Sequence, residues 1–289
     1  MPILSYPALT RRAFNLALAG AGVSVLRSQE AEMHWALLSD THVPEDAAGG
    51  YRGFRPQETL KLAVPGVLAA KPQGVLICGD VAREFGLQGD YDAVRTILKP
   101  VLDNLPMVVA LGNHDDRANF LAALGATQQG VQKVPRRHVL AVEGGAVRFV
   151  VLDSLMQPNT VAGLLGRDQR TWLSTYLKSA SAIPIVLFVH HTLDDGDSSL
   201  LDAPRLFELL RPHRNVKAIV FGHSHRYAYD TWEGVHLINL PALGYNFADD
   251  QPVGWVDAHF TREGGSFTLR ALAGNTKSDG AVTRLSWRT

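Results

Sequence analysis

Met107-Val108-Val109-Ala110-Leu111-Gly112-Asn113-His114-Asp115 is the stretch whose reading decides the fold. The apolar run from Met107 to Leu111 suits a central strand covered on both faces, where the usual apolar and polar alternation disappears. Gly112 lets the backbone turn sharply where a Cβ would obstruct it. Ligands of open α/β sheets collect beyond the carboxyl ends of the strands. Asn113, His114 and Asp115 therefore stand at a rim where chemistry is expected.

Working outward, short apolar runs end in polar clusters and alternate with helical stretches, the pattern of an α/β sheet. It predicts strands over 35–39, 74–79, 107–111, 147–152, 185–189 and 218–221, and helices over 57–70, 89–102, 117–124, 168–179 and 203–210. Pro65 should kink or break the first helix, and Asp168 suits the N-cap of the fourth. After His225 the texture turns aromatic-rich and alternating, which suggests a second, mostly antiparallel sheet packed on the first. Glu263-Gly264-Gly265-Ser266 signals a hairpin within it.

Composition excludes several classes. Lysine plus arginine equals aspartate plus glutamate at 28 each, so no basic excess awaits nucleic acid, and 46% apolar content suits an ordinary globular core. A single cysteine, Cys78, lies in an apolar run, which rules out an internal disulfide and reads as inert packing. Thr10-Arg11-Arg12-Ala13-Phe14 and the Gly/Ala-rich residues after it resemble a twin-arginine export signal over residues 1–30, too short to span a bilayer. Export to the periplasm or beyond is the expectation, with an amphipathic helix of a cytoplasmic protein as the alternative.

Five predicted strand ends carry oxygen or nitrogen metal ligands: Asp40-Thr41-His42, Gly79-Asp80, Gly112-Asn113-His114-Asp115, His190-His191 and Gly222-His223-Ser224-His225. Carboxylate, amide and imidazole together suit Fe, Mn, Zn or Co, and the lack of thiolates argues against a structural zinc site. In extended backbone, residues two apart share a face, so Asp40 with His42, and His223 with His225, can converge on one ion or reach two neighbouring ones. Seven ligands exceed the need of one small cation with an open position. Two ions about 3.5 to 4 Å apart and bridged by a carboxylate would use them all.

These five blocks resemble the signature of the calcineurin-like metallophosphoesterases, and within them the class III cyclic nucleotide phosphodiesterase type. The likeness runs from His34 to about Gly244, and 150–154 and 166–177 are similar to that group's intermediate segments. It implies a four-layer α/β/β/α sandwich of two mixed sheets across 31–289. It implies two metals, one held by Asp40, His42 and His225, the other by Asn113, His190 and His223, with Asp80 bridging. Ser224 stands where threonine is commoner, and Thr192-Leu193 where prolines are. The acidic loop 194–197 reads as a solvated turn, or as a repellent for substrates with extra negative charge.

The implied activity is phosphodiester hydrolysis, on cyclic nucleotides or glycerophosphodiesters, by a water acidified between the two metals and attacking phosphorus in line. His114 would stabilise the phosphorane oxygens or protonate the leaving alkoxide. Asp115 would fix the His114 tautomer or cap a helix. His191 reads as a packed core histidine or as support for the ligands, Arg83 as a phosphate contact or a surface ion pair. Tyr245 and Asn246 read as core or substrate-side residues, and His34, His138, His213, His236 and His259 as structural or surface ones. A phosphomonoesterase, such as a nucleotidase or phosphoprotein phosphatase, would call for more basic residues around the pocket. A non-catalytic metal-binding module would have lost Asp80 or the Gly-Asn-His block, and both are intact. The expected partner is a small phosphoester, with no membrane span in the mature chain; a monomer and a dimer both fit.

Overall fold

Strand β1 (Glu32–Leu38) shows how one element serves two cores. Met33, Trp35 and Leu37 enter one buried cluster, while Ala36 and Leu38 enter another, as alternate side chains of a strand must. The computed structural model describes residues 32–289 apart from 129–130, 133, 143–144 and 181–182. The expected export signal lies outside the described residues.

Helix α1 (Pro56–Ala70), β2 (Gly74–Cys78), α2 (Gln88–Leu102), β3 (Met107–Ala110) and α3 (Arg117–Leu124) follow. Next come β4 (Val131–Gln132), β5 (Leu140–Val142), β6 (Arg148–Val151), α4 (Arg167–Ser179), β7 (Ile185–Phe188), α5 (Ala203–Leu210) and β8 (Val216–Phe221). The chain ends with β9 (Ala228–Trp232), β10 (Val235–Asn239), β11 (Pro252–Thr261), β12 (Gly264–Gly274) and β13 (Val282–Ser286). One sheet has the order β13-β12-β11-β1-β2-β3 and the other β4-β5-β6-β7-β8-β10-β9. Both are mixed: β1, β2 and β3 run parallel, as do β6, β7, β8 and β10, with antiparallel strands beyond them.

Phe149, Phe188, Val220, Val256 and Phe260 fill the space between the sheets. Leu60, Val67, Tyr91, Val94 and Phe120 seal the outer face of the first sheet, and Leu173, Leu177, Leu206 and Leu210 that of the second. The result is the α/β/β/α sandwich. Among the described residues no helix is long and apolar enough to cross a membrane.

Four expectations are corrected. The strands after His225 do not form a sheet of their own: β9 and β10 extend the second sheet, and β11 to β13 complete the first beside β1. Alternation marks a half-buried strand without naming its neighbour, so that partition is a tertiary outcome. Helix α1 runs through Pro65. That residue is exposed, so the carbonyl it leaves unpaired faces water. Asp168 is not an N-cap; Gly166 occupies that position with φ 80, and Asp168 pairs with Arg167 on the surface. The hairpin turns at Arg262-Glu263, and Gly264 and Gly265 lie within β12.

Candidate metal centre

The loops leaving β1, β2 and β8 turn at once, and their ligand-type residues take left-handed backbone: Asp40 (φ 51), His42 (φ 45), Asp80 (φ 49), His223 (φ 70) and His225 (φ 53). A Cβ makes this conformation unfavourable, so it must be held from outside. The Asp40 amide donates to the Gly79 carbonyl at 3.0 Å, the His42 amide to that of Asp80 at 2.9 Å, and the Gly244 amide to that of Asp40 at 2.8 Å. Convergence therefore comes from turns and not from extended spacing, as had been expected. Asp40 and His42 share a cluster with His225, while His223 joins Asp80 and His190.

Donor atoms within each cluster lie within 4.8 Å of one another. His225 Nε2 is 3.4 Å from Asp40 Oδ1 and 3.1 Å from His42 Nε2. His190 Nε2 is 3.2 Å from Asp80 Oδ2, and His42 Nε2 is 3.7 Å from the same oxygen. Asp80 thus faces both clusters. The histidines are aimed by their other nitrogens, Nδ1 of His190 toward the Cys78 carbonyl at 2.8 Å and Nδ1 of His225 toward that of Tyr245 at 2.6 Å. Such anchoring leaves Nε2 directed inward, as in metal-binding imidazoles.

The donor set fits a cation. Asn113 Oδ1 is buried without a hydrogen-bond partner, a costly arrangement unless something else ligates it. Burial opposes ionisation of Asp40, yet His225 and His190 hold its carboxyl below the usual range; Asp80 is held well below it against the same burial, chiefly by His190. Burial pushes His42 down to about 3 and His223 to about 4, so both present free lone pairs. His190 goes up to about 9: burial lowers it, but Asp80 and Asp40 together outweigh burial. A cation at Nε2 would compete for the lone pair that this proton takes.

Two glycines are dictated by space. A Cβ on Gly112 would stand 2.2 Å from Asp80 Oδ1, and one on Gly79 (φ 87) 2.2 Å from His190 Nδ1. Gly112 itself has no positive φ, so close approach is what demands it.

His114 lies on the cavity wall. Its amide donates to Asp80 Oδ1 at 2.8 Å, Nδ1 meets the Glu84 carbonyl at 3.0 Å, and Nε2 is 3.9 Å from Asp80 Oδ2. Asp115 fills neither role expected of it. Fully buried, it accepts from the amides of Gly112, Val81 and Ala82 and from the Tyr91 hydroxyl, pinning the β3 loop to the β2 loop. Burial, and then Asp80, raise its carboxyl to about 6. The helix cap is Asp116, one residue on.

His191 is buried beside His190 and His223, its Nδ1 on the Ser154 hydroxyl at 2.7 Å, so it packs the ligands from behind. Arg83 lies over the rings of Tyr51 and Tyr245, with no carboxylate in ion-pair range among the described residues. Tyr245 lines the cavity and packs on His42 and His225, whereas Asn246 turns away to the Gln251 carbonyl. Phe247, unnoticed in the sequence, stacks on His225 at 4.3 Å while half exposed. The cavity measures about 700 Å³, and Asp194 and Asp195 of the acidic loop form part of its wall. Burial pushes the Cys78 thiol well up, as inert packing requires.

Known proteins are similar to this chain in sequence and in fold. The chain is 25% identical over 228 residues to a probable cyclic nucleotide phosphodiesterase of a Synechococcus species, covering 76% of this chain and 84% of that one. It is 28% identical over 220 residues to the 3',5'-cyclic adenosine monophosphate phosphodiesterase CpdA of Pseudomonas aeruginosa, covering 73% and 76%. In fold it is similar to a dimetal phosphatase of Danio rerio, with a TM-score of 0.70 at 15% identity over 89% of this chain and 99% of that one. The calcineurin-like phosphoesterase signature matches residues 33–227, a span that takes in all five ligand-bearing loops, and the chain belongs to that family.

Proposed function

We propose that this metallophosphoesterase cleaves phosphodiesters in preference to monoesters, on substrates of the cyclic nucleotide or glycerophosphodiester type. The cavity wall carries the reading. Among the described residues that line it there is no lysine or arginine, and Asp194 and Asp195 stand on it. A monoester carries close to two negative charges at neutral pH and a diester one, so this wall penalises the monoester more. Relatives named as cyclic nucleotide phosphodiesterases, and one named glycerophosphodiester phosphodiesterase GpdQ in Enterobacter lignolyticus, 26% identical over 181 residues, support the diester class.

Asp40, His42 and His225 would hold one cation, Asn113, His190 and His223 a second, and Asp80 both; Fe, Mn, Zn and Co all suit these donors. Bound there, such a pair acidifies water and neutralises charge on phosphate oxygens. The protein's own part is then to orient the ester and move a proton. His114, fixed through its amide and Nδ1, presents Nε2 to the cavity, where it donates to the leaving oxygen. Tyr245 and Phe247 shield the outer side of His225 from solvent. The Arg11-Arg12 segment supports export of the folded, metal-loaded chain within the same proposal.

The test strips the purified chain with chelator, restores Mn²⁺, and compares a bis-aryl diester, an aryl monoester and cyclic AMP. Diester turnover should lead. Faster monoester turnover would overturn the reading.

A further inference from the structure

A second set of metal-ligating side chains sits far from the cavity, at the start of β1. His34 and His259 face each other directly across the β1–β11 ladder. Their rings stack with centroids 4.0 Å apart and 13° between planes. Asp257 stands two residues from His259, and Glu32 two from His34, so the period of two places all four on one face of the sheet.

Their bonds bring three potential metal donors together around Asp257, with His34 and Asp257 joined by a proton that a cation could replace. Asp257 Oδ1 is 2.5 Å from His34 Nε2 and 4.0 Å from His259 Nε2. Glu32 engages His259 Nδ1 from behind, and Arg270 holds Asp257 Oδ2 at 2.9 Å. A carboxylate behind an imidazole is what orients a metal-binding histidine. One donor atom from each of His34, Asp257 and His259 lies within 4.8 Å of the other two.

We infer that His34, His259 and Asp257 bind one borderline divalent cation of the Zn²⁺ type. Two imidazoles and a carboxylate suit such an ion, whereas Mg²⁺ and Ca²⁺ ask for more oxygens. The ion displaces the proton that His34 shares with Asp257, and water completes its coordination, because the His34 and His259 side chains are 19% and 36% exposed. Six residues separate His34 from Asp40, about 20 Å of strand, so this site is distinct from the catalytic one. It crosses the one ladder that joins the parallel part of the first sheet, β1 to β3, to its antiparallel part, β11 to β13. Binding across that seam stabilises the folded chain by mass action.

The experiment uses the full chain with its catalytic centre loaded with Mn²⁺, dialysed against Zn²⁺, with total metal counted before and after. In the wild type Zn²⁺ should raise the total by one ion per chain and raise the melting temperature. In His34→Ala/His259→Ala both effects should vanish while diester turnover is kept. No added ion in the wild type overturns the inference whether or not the double variant folds. An added ion that survives in the double variant overturns it too, as adventitious binding elsewhere.

Discussion

His114 is the residue on which the chemistry of the cavity turns. Its amide holds Asp80 Oδ1 at 2.8 Å, its Nδ1 is fixed, and its Nε2 stands 3.9 Å from Asp80 Oδ2, so its ring is placed beside His42 and Asp80 without being one of the expected ligands. His114→Ala should therefore keep the full metal content and lose diester turnover by about 10² or more, the usual worth of a positioned acid. Unchanged turnover with metals retained would remove His114 from the mechanism. The alternating ligand letters were legible in the sequence; the atoms that aim them were not. The Cys78 and Tyr245 carbonyls that anchor His190 and His225 belong to the backbone, which leaves no mark in residue type. Asp115 was misread for the same reason, since its partners are amides of Val81 and Ala82 on another loop.

Among the elements, helix α3 offers a clean contrast. Its first-turn amides at Ala118 and Asn119 are taken by the Asp116 carboxylate, each at 2.9 Å. Asp116→Ala should cost about 1 kcal/mol in urea unfolding, as lost N-caps do. Asp168→Ala, at a side chain 74% exposed beside Arg167, should shift stability by less than about 0.5 kcal/mol. Equal losses would put the capping assignment in doubt. Strand β3 and helix α5 follow the apolar pattern closely, because β3 is buried throughout and the buried residues of α5 recur at the helical period. Strands β11 and β12 could be recognised as strands but not assigned to a sheet, because nothing local in Trp255 to Phe260 names β1 as a neighbour.

At the scale of the whole molecule, a buried histidine links stability to pH. Burial lowers the pKa of His138 from its ordinary 6.5, partly offset by Asp153, and its Nε2 meets the Val109 carbonyl at 3.0 Å. The native state then binds fewer protons than the unfolded one, so this contribution is complete above about 6.5 and is lost as pH falls through the depressed value. As pH falls below about 6.5, the urea midpoint of His138→Gln should fall less steeply than that of the wild type. Parallel curves would exclude His138 as a source of the acid sensitivity.

The architecture as a whole exists to bring five loops from two sheets to one edge, and what they make there is the central claim. Its most direct test is the metal content of the chain loaded with Mn²⁺ alone and dialysed free of excess. Wild type should retain two ions per chain, and Asp80→Asn, which removes the carboxylate facing both clusters, should retain one or none. A wild type that holds no metal, or an Asp80→Asn chain that still holds two, would contradict the account.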